Sequence, residues 1–234
     1  MDRFTAIFGI EKEKIEKNCL LLPFLPPGAL KELGVKELSA GAVFSSASVK
    51  GLTVIKTGIG ASFVGDAVLY LSKTSCENIF FIGSCGLINN KLGLRVGDLV
   101  FPTVAYAFES FTDILTQRMQ RPDGAYPDSG LMSDFLESTG LDLHRSACVS
   151  FCSLYHEDNF VPVFQKLGAD VIEMECAALF HAARKAGKKA LALLFISDIL
   201  STKPHYETPS AEDKKSLAEG VRQACQAIRK FCSL

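Results

Sequence analysis

The stretch Asn78-Ile79-Phe80-Phe81-Ile82-Gly83-Ser84-Cys85-Gly86 decides the architecture of this chain of 234 residues. A strand with one wet face alternates apolar and polar residues. The unbroken apolar run here belongs to a strand covered on both faces, as in an α/β sheet. Four small residues follow at once, and small residues at the end of a central strand leave room for a ligand.

The flanking sequence repeats that theme. Strands are expected over 4–9, 42–48, 52–57, 78–82, 98–101, 103–108, 147–153 and 190–196, with 42–48 and 52–57 forming a hairpin around Lys50-Gly51. Helical spacing covers 61–73, with Phe63, Val64, Ala67, Val68 and Leu71 on one face. It recurs over 175–186 and 211–231. Pro23-Phe24-Leu25-Pro26-Pro27-Gly28 reads as a loop entering a short helix over 29–33. Alternating strands and helices predict an α/β fold with a mixed central sheet. With no repeat, low-complexity tract or linker, one domain over 1–234 is expected.

Composition excludes several function classes. A net charge of −1 carries no footprint for nucleic acid, and no polybasic stretch addresses anionic lipid. No apolar run reaches the ~20 residues of a membrane-spanning helix. The apolar core after Met1 is too short for a secretory signal, so a cytoplasmic address is expected. The eight cysteines include no CxxC pair and have no histidines clustered near them, which argues against zinc and for buried thiols in a reducing compartment. The four histidines are scattered, and no nucleophilic triad can be assigned from spacing.

Four segments carry candidate chemistry. Thr57-Gly58-Ile59-Gly60-Ala61 lets backbone N–H groups approach an anion or a sugar hydroxyl, or is simply a tight strand-to-helix turn. The third glycine of a dinucleotide fingerprint is replaced by Phe63, which rejects a Rossmann cofactor. In Gly83-Ser84-Cys85-Gly86, Ser84 could hold a hydroxyl or a water. In Glu173-Met174-Glu175, the acids suit a helix start; alternatively Glu175 accepts paired sugar hydroxyls while Met174 packs on the sugar. Asp198 closes the apolar run 191–196 and is either a turn residue or a carboxyl kept protonated by desolvation, able to donate a proton. Glu11-Lys12-Glu13-Lys14 reads by itself as a solvated helix start.

Taken in order, Thr57-Gly58-Ile59-Gly60, Gly83-Ser84-Cys85-Gly86, Val96-Gly97-Asp98-Leu99-Val100, Glu173-Met174-Glu175 and Ile196-Ser197-Asp198 resemble the nucleoside phosphorylase and nucleosidase superfamily. The resemblance runs from about Leu52 to Leu200. It implies a single three-layer α/β/α domain with a mixed, partly closed sheet, cleaving the N-glycosidic bond of a nucleoside without metal or organic cofactor. Asp198 would protonate a purine at N7, and Ser197 would place that aspartate. Glu175 would bind the ribose hydroxyls beside Met174 and Glu173. The base would lie near the segment Cys152 to Tyr155, against Leu154 and Tyr155, and 201–206 would act as a lid.

The same resemblance implies hydrolysis. The phosphate-gripping arginine of the hexameric phosphorylases is matched by Phe81, and no Gly-Asp-Pro phosphate loop precedes it. A phosphate anion without basic partners would be poorly bound. The hydrolytic branch holds methylthioadenosine/S-adenosylhomocysteine nucleosidases and futalosine hydrolases. It places a water-activating glutamate after the first strand, a role that would fall to Glu13, with Glu11 in reserve, while Ser84 helps hold the water. Two positions depart from that branch: Leu194 stands where it has an arginine, and Leu87 where a second glycine is usual. Residues 89–94 resemble an insertion of the futalosine type, which serves menaquinone synthesis. A homodimer is expected by the same analogy. A phosphorylase and a non-catalytic nucleoside-binding protein are the rival readings.

Overall fold

The computed structural model describes residues 2–88, 93–118 and 122–233. Most of the futalosine-like segment, 89–92, therefore lies outside the described residues. Among the described residues the chain runs α1 (Arg3–Phe8), β1 (Asn18–Leu22), α2 (Ala29–Glu32), β2 (Ser39–Ala40), β3 (Ser45–Val49), β4 (Leu52–Lys56), α3 (Ala61–Leu71), β5 (Asn78–Leu87), β6 (Leu99–Phe108), α4 (Phe111–Thr116), β7 (Gly124–Ala125), α5 (Ser129–Thr139), β8 (His144–Phe151), α6 (Glu157–Lys166), β9 (Val171–Glu173), α7 (Cys176–Ala186), β10 (Lys189–Ile199) and α8 (Ala211–Cys232).

One mixed sheet joins all ten strands, and part of it closes on itself. Strand β5 pairs with β10, β10 with β6, β6 with β8, β8 with β9, and β9 again with β5. From this ring the sheet opens through β1, β4, β3 and β2. The expected hairpin is the β3–β4 pair, with Val49 opposite Leu52. The apolar run 79–82 is fully enclosed, because β5 is flanked by β1 on one side and β10 on the other. Helices α1, α3 and α7 pack with one face of the sheet, and α2, α5 and α8 with the other. The mixed sheet is thus as the sequence pattern predicts, and the three layers and partial closure are as the family resemblance implies.

Three local expectations are corrected. The segment 4–9 is not a strand: residues 4–8 belong to helix α1 and Gly9 caps it. Asp2 caps it by accepting from the N–H groups of Phe4 (2.7 Å) and Thr5 (3.1 Å), and Gly9 ends it in the left-handed region at φ 78°. Phe4 and Phe8, one helical turn apart, stack at 4.3 Å, so the relevant apolar period was four rather than two. The first strand is instead Asn18–Leu22, a short buried run ended by Pro23. The two strands expected over 98–108 are one, β6, whose register against β8 shifts between Pro102 and Val104. Pro102 has no N–H to give a ladder, and a bulge there absorbs the defect.

Candidate active site

The carboxyl ends of several strands converge on a cavity of about 210 Å³. Pro23 and Phe24 follow β1, Ile59 follows β4, and Ser84, Cys85 and Gly86 end β5. Phe151 ends β8, Glu173 ends β9, and Ser197 and Asp198 lie near the end of β10. Met174, Glu175, Leu154, Glu157 and His205 complete its wall. Ligands gather at such strand ends because the backbone there is leaving the ladder and small residues open space. Gly86 shows this directly. A Cβ at that position would stand 2.7 Å from Leu200 and 2.8 Å from the Asp198 carboxyl, so any larger residue would push the aspartate out of place.

Each predicted acid has a distinct setting. Asp198 is 8% exposed and borders the same cavity as Glu175. The register of β10 against β5 shifts between Ile196 and Asp198: Ser197 is left without a partner, while Asp198 pairs with Gly86, and both border the cavity. The Ser197 hydroxyl lies 2.5 Å from Asp198 Oδ1 and 3.2 Å from the carbonyl of Cys85, so it tethers the carboxyl to β5. Burial pushes the Asp198 pKa up, against the opposing pull of the Ser197 hydrogen bond and of His205.

Glu173 and Glu175 divide two tasks. Glu173 Oε2 accepts from the N–H groups of Glu175 and Cys176, both at 2.7 Å, and its Oε1 accepts from the Ser150 hydroxyl. Ser150 Oγ in turn accepts from Ala177 N–H at 2.8 Å, and Glu109 accepts from Ala178 N–H at 3.1 Å. The first-turn donors of α7 are therefore met by side chains. Glu173 acts there as a clamp on the helix N-terminus. Glu175 uses one oxygen to accept from Gly60 N–H at 2.5 Å, joining the glycine loop to the site. Gly60 has φ 108°, a conformation that glycine reaches without strain. Burial first, and the neighbouring Glu173 second, raise Glu175 to about 8.

The remaining candidates separate. Ser84 and Met174 border the cavity, both half-buried, and Leu154 stands at its rim. Tyr155 does not border it. It is 88% exposed, and its ring meets that of His156 edge-on. Glu13 is also outside. It sits on a 3₁₀ turn at Lys12–Lys14 with its side chain 68% exposed, beside Lys12. Glu11 is likewise exposed and pairs with Lys14. The reason is the misread first strand. The position that follows the true β1 is Pro23-Phe24, which does border the cavity but offers no carboxylate. Leu194 and Phe81, at the two places matched to family arginines, are fully buried core residues.

Two residues were not singled out from sequence. Glu157, the first residue of α6, is 7% exposed and borders the cavity, with burial and then Asp198 raising its pKa to about 7. Glu109, at the end of β6, is raised to about 7 by burial and by Glu173. An acid at a helix start is an ordinary surface feature in sequence, so only the packing distinguishes Glu157.

Among the described residues, two groups bring three possible metal donors within 4.8 Å: Cys148, Glu173 and Cys176, and Glu157, Asp198 and His205. The first fits an ion poorly. Both thiols are fully buried and pushed up by desolvation, and Glu173 already serves backbone donors. The second opens on the cavity. No described helix is long and apolar enough to cross a membrane.

The fold recurs in known proteins. Residues 23–233 match the family model described as the phosphorylase superfamily. A guanosine phosphorylase of Halorubrum lacusprofundi is 32% identical over 146 residues, 61% of this chain and 58% of that relative, so the match spans little more than half of its length. A DeoD-type purine nucleoside phosphorylase of Bacillus velezensis is 28% identical over 189 residues, 76% of either chain. Among solved structures, a uridine phosphorylase of Vibrio fischeri superposes with a TM-score of 0.75 at 20% identity, covering 96% of this chain and 95% of that one. A 5′-methylthioadenosine/S-adenosylhomocysteine nucleosidase of Campylobacter jejuni gives 0.73 at 16% identity, covering 93% and 98%. With a family match across nearly all of its length, this chain belongs to the phosphorylase superfamily, the enzymes of nucleoside phosphorolysis and hydrolysis.

Proposed function

We propose that the protein is a purine nucleosidase: it transfers the ribosyl group of a purine nucleoside, 5′-modified in the reading we favour, to water. The observation that carries this reading is the make-up of the cavity wall. Four carboxyl groups border it (Glu157, Glu173, Glu175 and Asp198), and among the described residues of its wall there is no lysine or arginine. An oxocarbenium-like ribosyl centre gains from those carboxyls that are ionised, whereas a phosphate dianion finds no lysine or arginine to grip it. Asp198 donates its proton to the leaving base at N7. Glu175, fixed at one oxygen by Gly60 N–H, keeps its remaining capacity for the ribose 2′- and 3′-hydroxyls, and Met174 lies against the sugar. With Glu13 not lining the cavity, water is positioned by Ser84, and the proton it loses on adding to C1′ returns to the Asp198 carboxylate left when the base was protonated.

The names of the sequence relatives favour a second reading, phosphorolysis. Base release from adenosine, inosine and methylthioadenosine, followed chromatographically with and without phosphate, separates the two. Release in phosphate-free buffer, yielding free ribose or 5-substituted ribose, is expected. Release only with phosphate, yielding the sugar 1-phosphate, replaces hydrolysis by phosphorolysis.

A further inference from the structure

We infer that Glu157 selects the base: its carboxylate accepts from the 6-amino group of an aminopurine nucleoside and turns away 6-oxopurines. This rests on the reading of Asp198 as the acid that meets N7. One carboxyl oxygen of Glu157, one of Asp198 and one ring nitrogen of His205 lie within 4.8 Å of one another. Glu157 is more than nine-tenths buried, borders the cavity, and has no hydrogen-bond donor among the described residues. A helix start wanting negative charge is already served by Asp158, the next residue, which is exposed. A second acid here gives the helix nothing more, and its carboxyl, unpaired among the described residues, opens on the cavity where the donor of a ligand can reach it.

The chemistry of the purine edge identifies that partner. N7 and the 6-substituent lie side by side. In adenine they are an acceptor and a donor; in guanine, and equally in hypoxanthine, they are two acceptors. Two carboxyl groups this close do not both ionise readily, and one shared proton makes one of them a donor and the other an acceptor. With the proton on Asp198, the pair presents donor then acceptor, the complement of adenine. A 6-oxo group would set its oxygen against the Glu157 carboxylate. The raised pKa of Glu157 and its dependence on Asp198 agree with this sharing.

The test is the ratio of kcat/KM for adenosine to that for inosine, in wild type and in Glu157→Gln, together with calorimetric titration of each protein with free adenine and free hypoxanthine. Wild type should favour adenosine and bind adenine more tightly. The Gln variant, whose amide can donate to a 6-oxo group, should lose about 10- to 100-fold on adenosine and narrow or invert the ratio. Its melting temperature should not fall. Equal wild-type preference for the two purines overturns the inference, as does an unchanged ratio in the variant. So does a thermal shift with Zn²⁺ that Glu157→Gln abolishes while base preference stays the same, because Glu157 would then be a metal ligand. The calorimetric arm needs no turnover. Selective adenine binding lost in the variant, without base release from any nucleoside, would uphold Glu157 and refute only the catalytic reading.

Discussion

The β9–α7 corner and the β10–α6 side of the cavity carry acids of nearly equal burial, held in opposite ways. Glu173 accepts two backbone N–H groups and a hydroxyl, while Asp198 has one serine and Glu157 has no donor among the described residues. A buried carboxylate with a full set of donors is part of the scaffold. One without them is stable only as a neutral acid or as the partner of a ligand. Burial alone therefore does not mark a working acid; the count of its donors does.

That contrast can be broken by exchanging charge for an amide on each side. Asp198→Asn should lower base release about 10²- to 10⁴-fold, the usual worth of a general acid, with no loss of melting temperature. Glu173→Gln should do the reverse. It keeps one acceptor oxygen but loses the charge-assisted pair, costing about 2–3 kcal/mol in urea unfolding. Equal stability losses in the two variants would erase the distinction.

A third test uses pH. Glu109 and Glu157 are raised to about 7 and Glu175 to about 8, so the folded state holds protons that the unfolded state releases near 4.5. Between those values the native form binds more protons, and stability must fall as pH rises. The melting temperature should be lower at pH 8 than at pH 5, and Glu157→Gln should reduce the difference. A rise across that window would mean these carboxyls are ionised more readily than their burial implies. The smallest effect is expected at Glu13→Gln, which should leave kcat/KM unchanged because the side chain is exposed and away from the cavity.

The sequence was most informative where local pattern and tertiary environment agree. The apolar run 79–82 can only be an enclosed strand, and Ser84, Glu175 and Asp198 follow such runs closely enough that their place at strand ends was legible. Residues 4–8 misled because a short apolar run fits either period; the capping signals at Asp2 and Gly9 pointed to a helix, and the misread first strand then carried the water-activating role to Glu13. Tyr155 lies off the cavity for a different reason: which way a turn faces depends on contacts distant in sequence. Glu157 was illegible because an acid at the first helical position looks the same whether solvent or a cavity surrounds it.

The account stands on proton donation from Asp198, and leaving-group dependence tests it most directly. Wild type and Asp198→Asn should be compared on adenosine and on 4-nitrophenyl riboside, whose leaving group departs as a stable anion and needs no proton. The account predicts that the variant loses adenosine cleavage while hydrolysing the nitrophenyl riboside close to the wild-type rate. Equal losses on both substrates would contradict it.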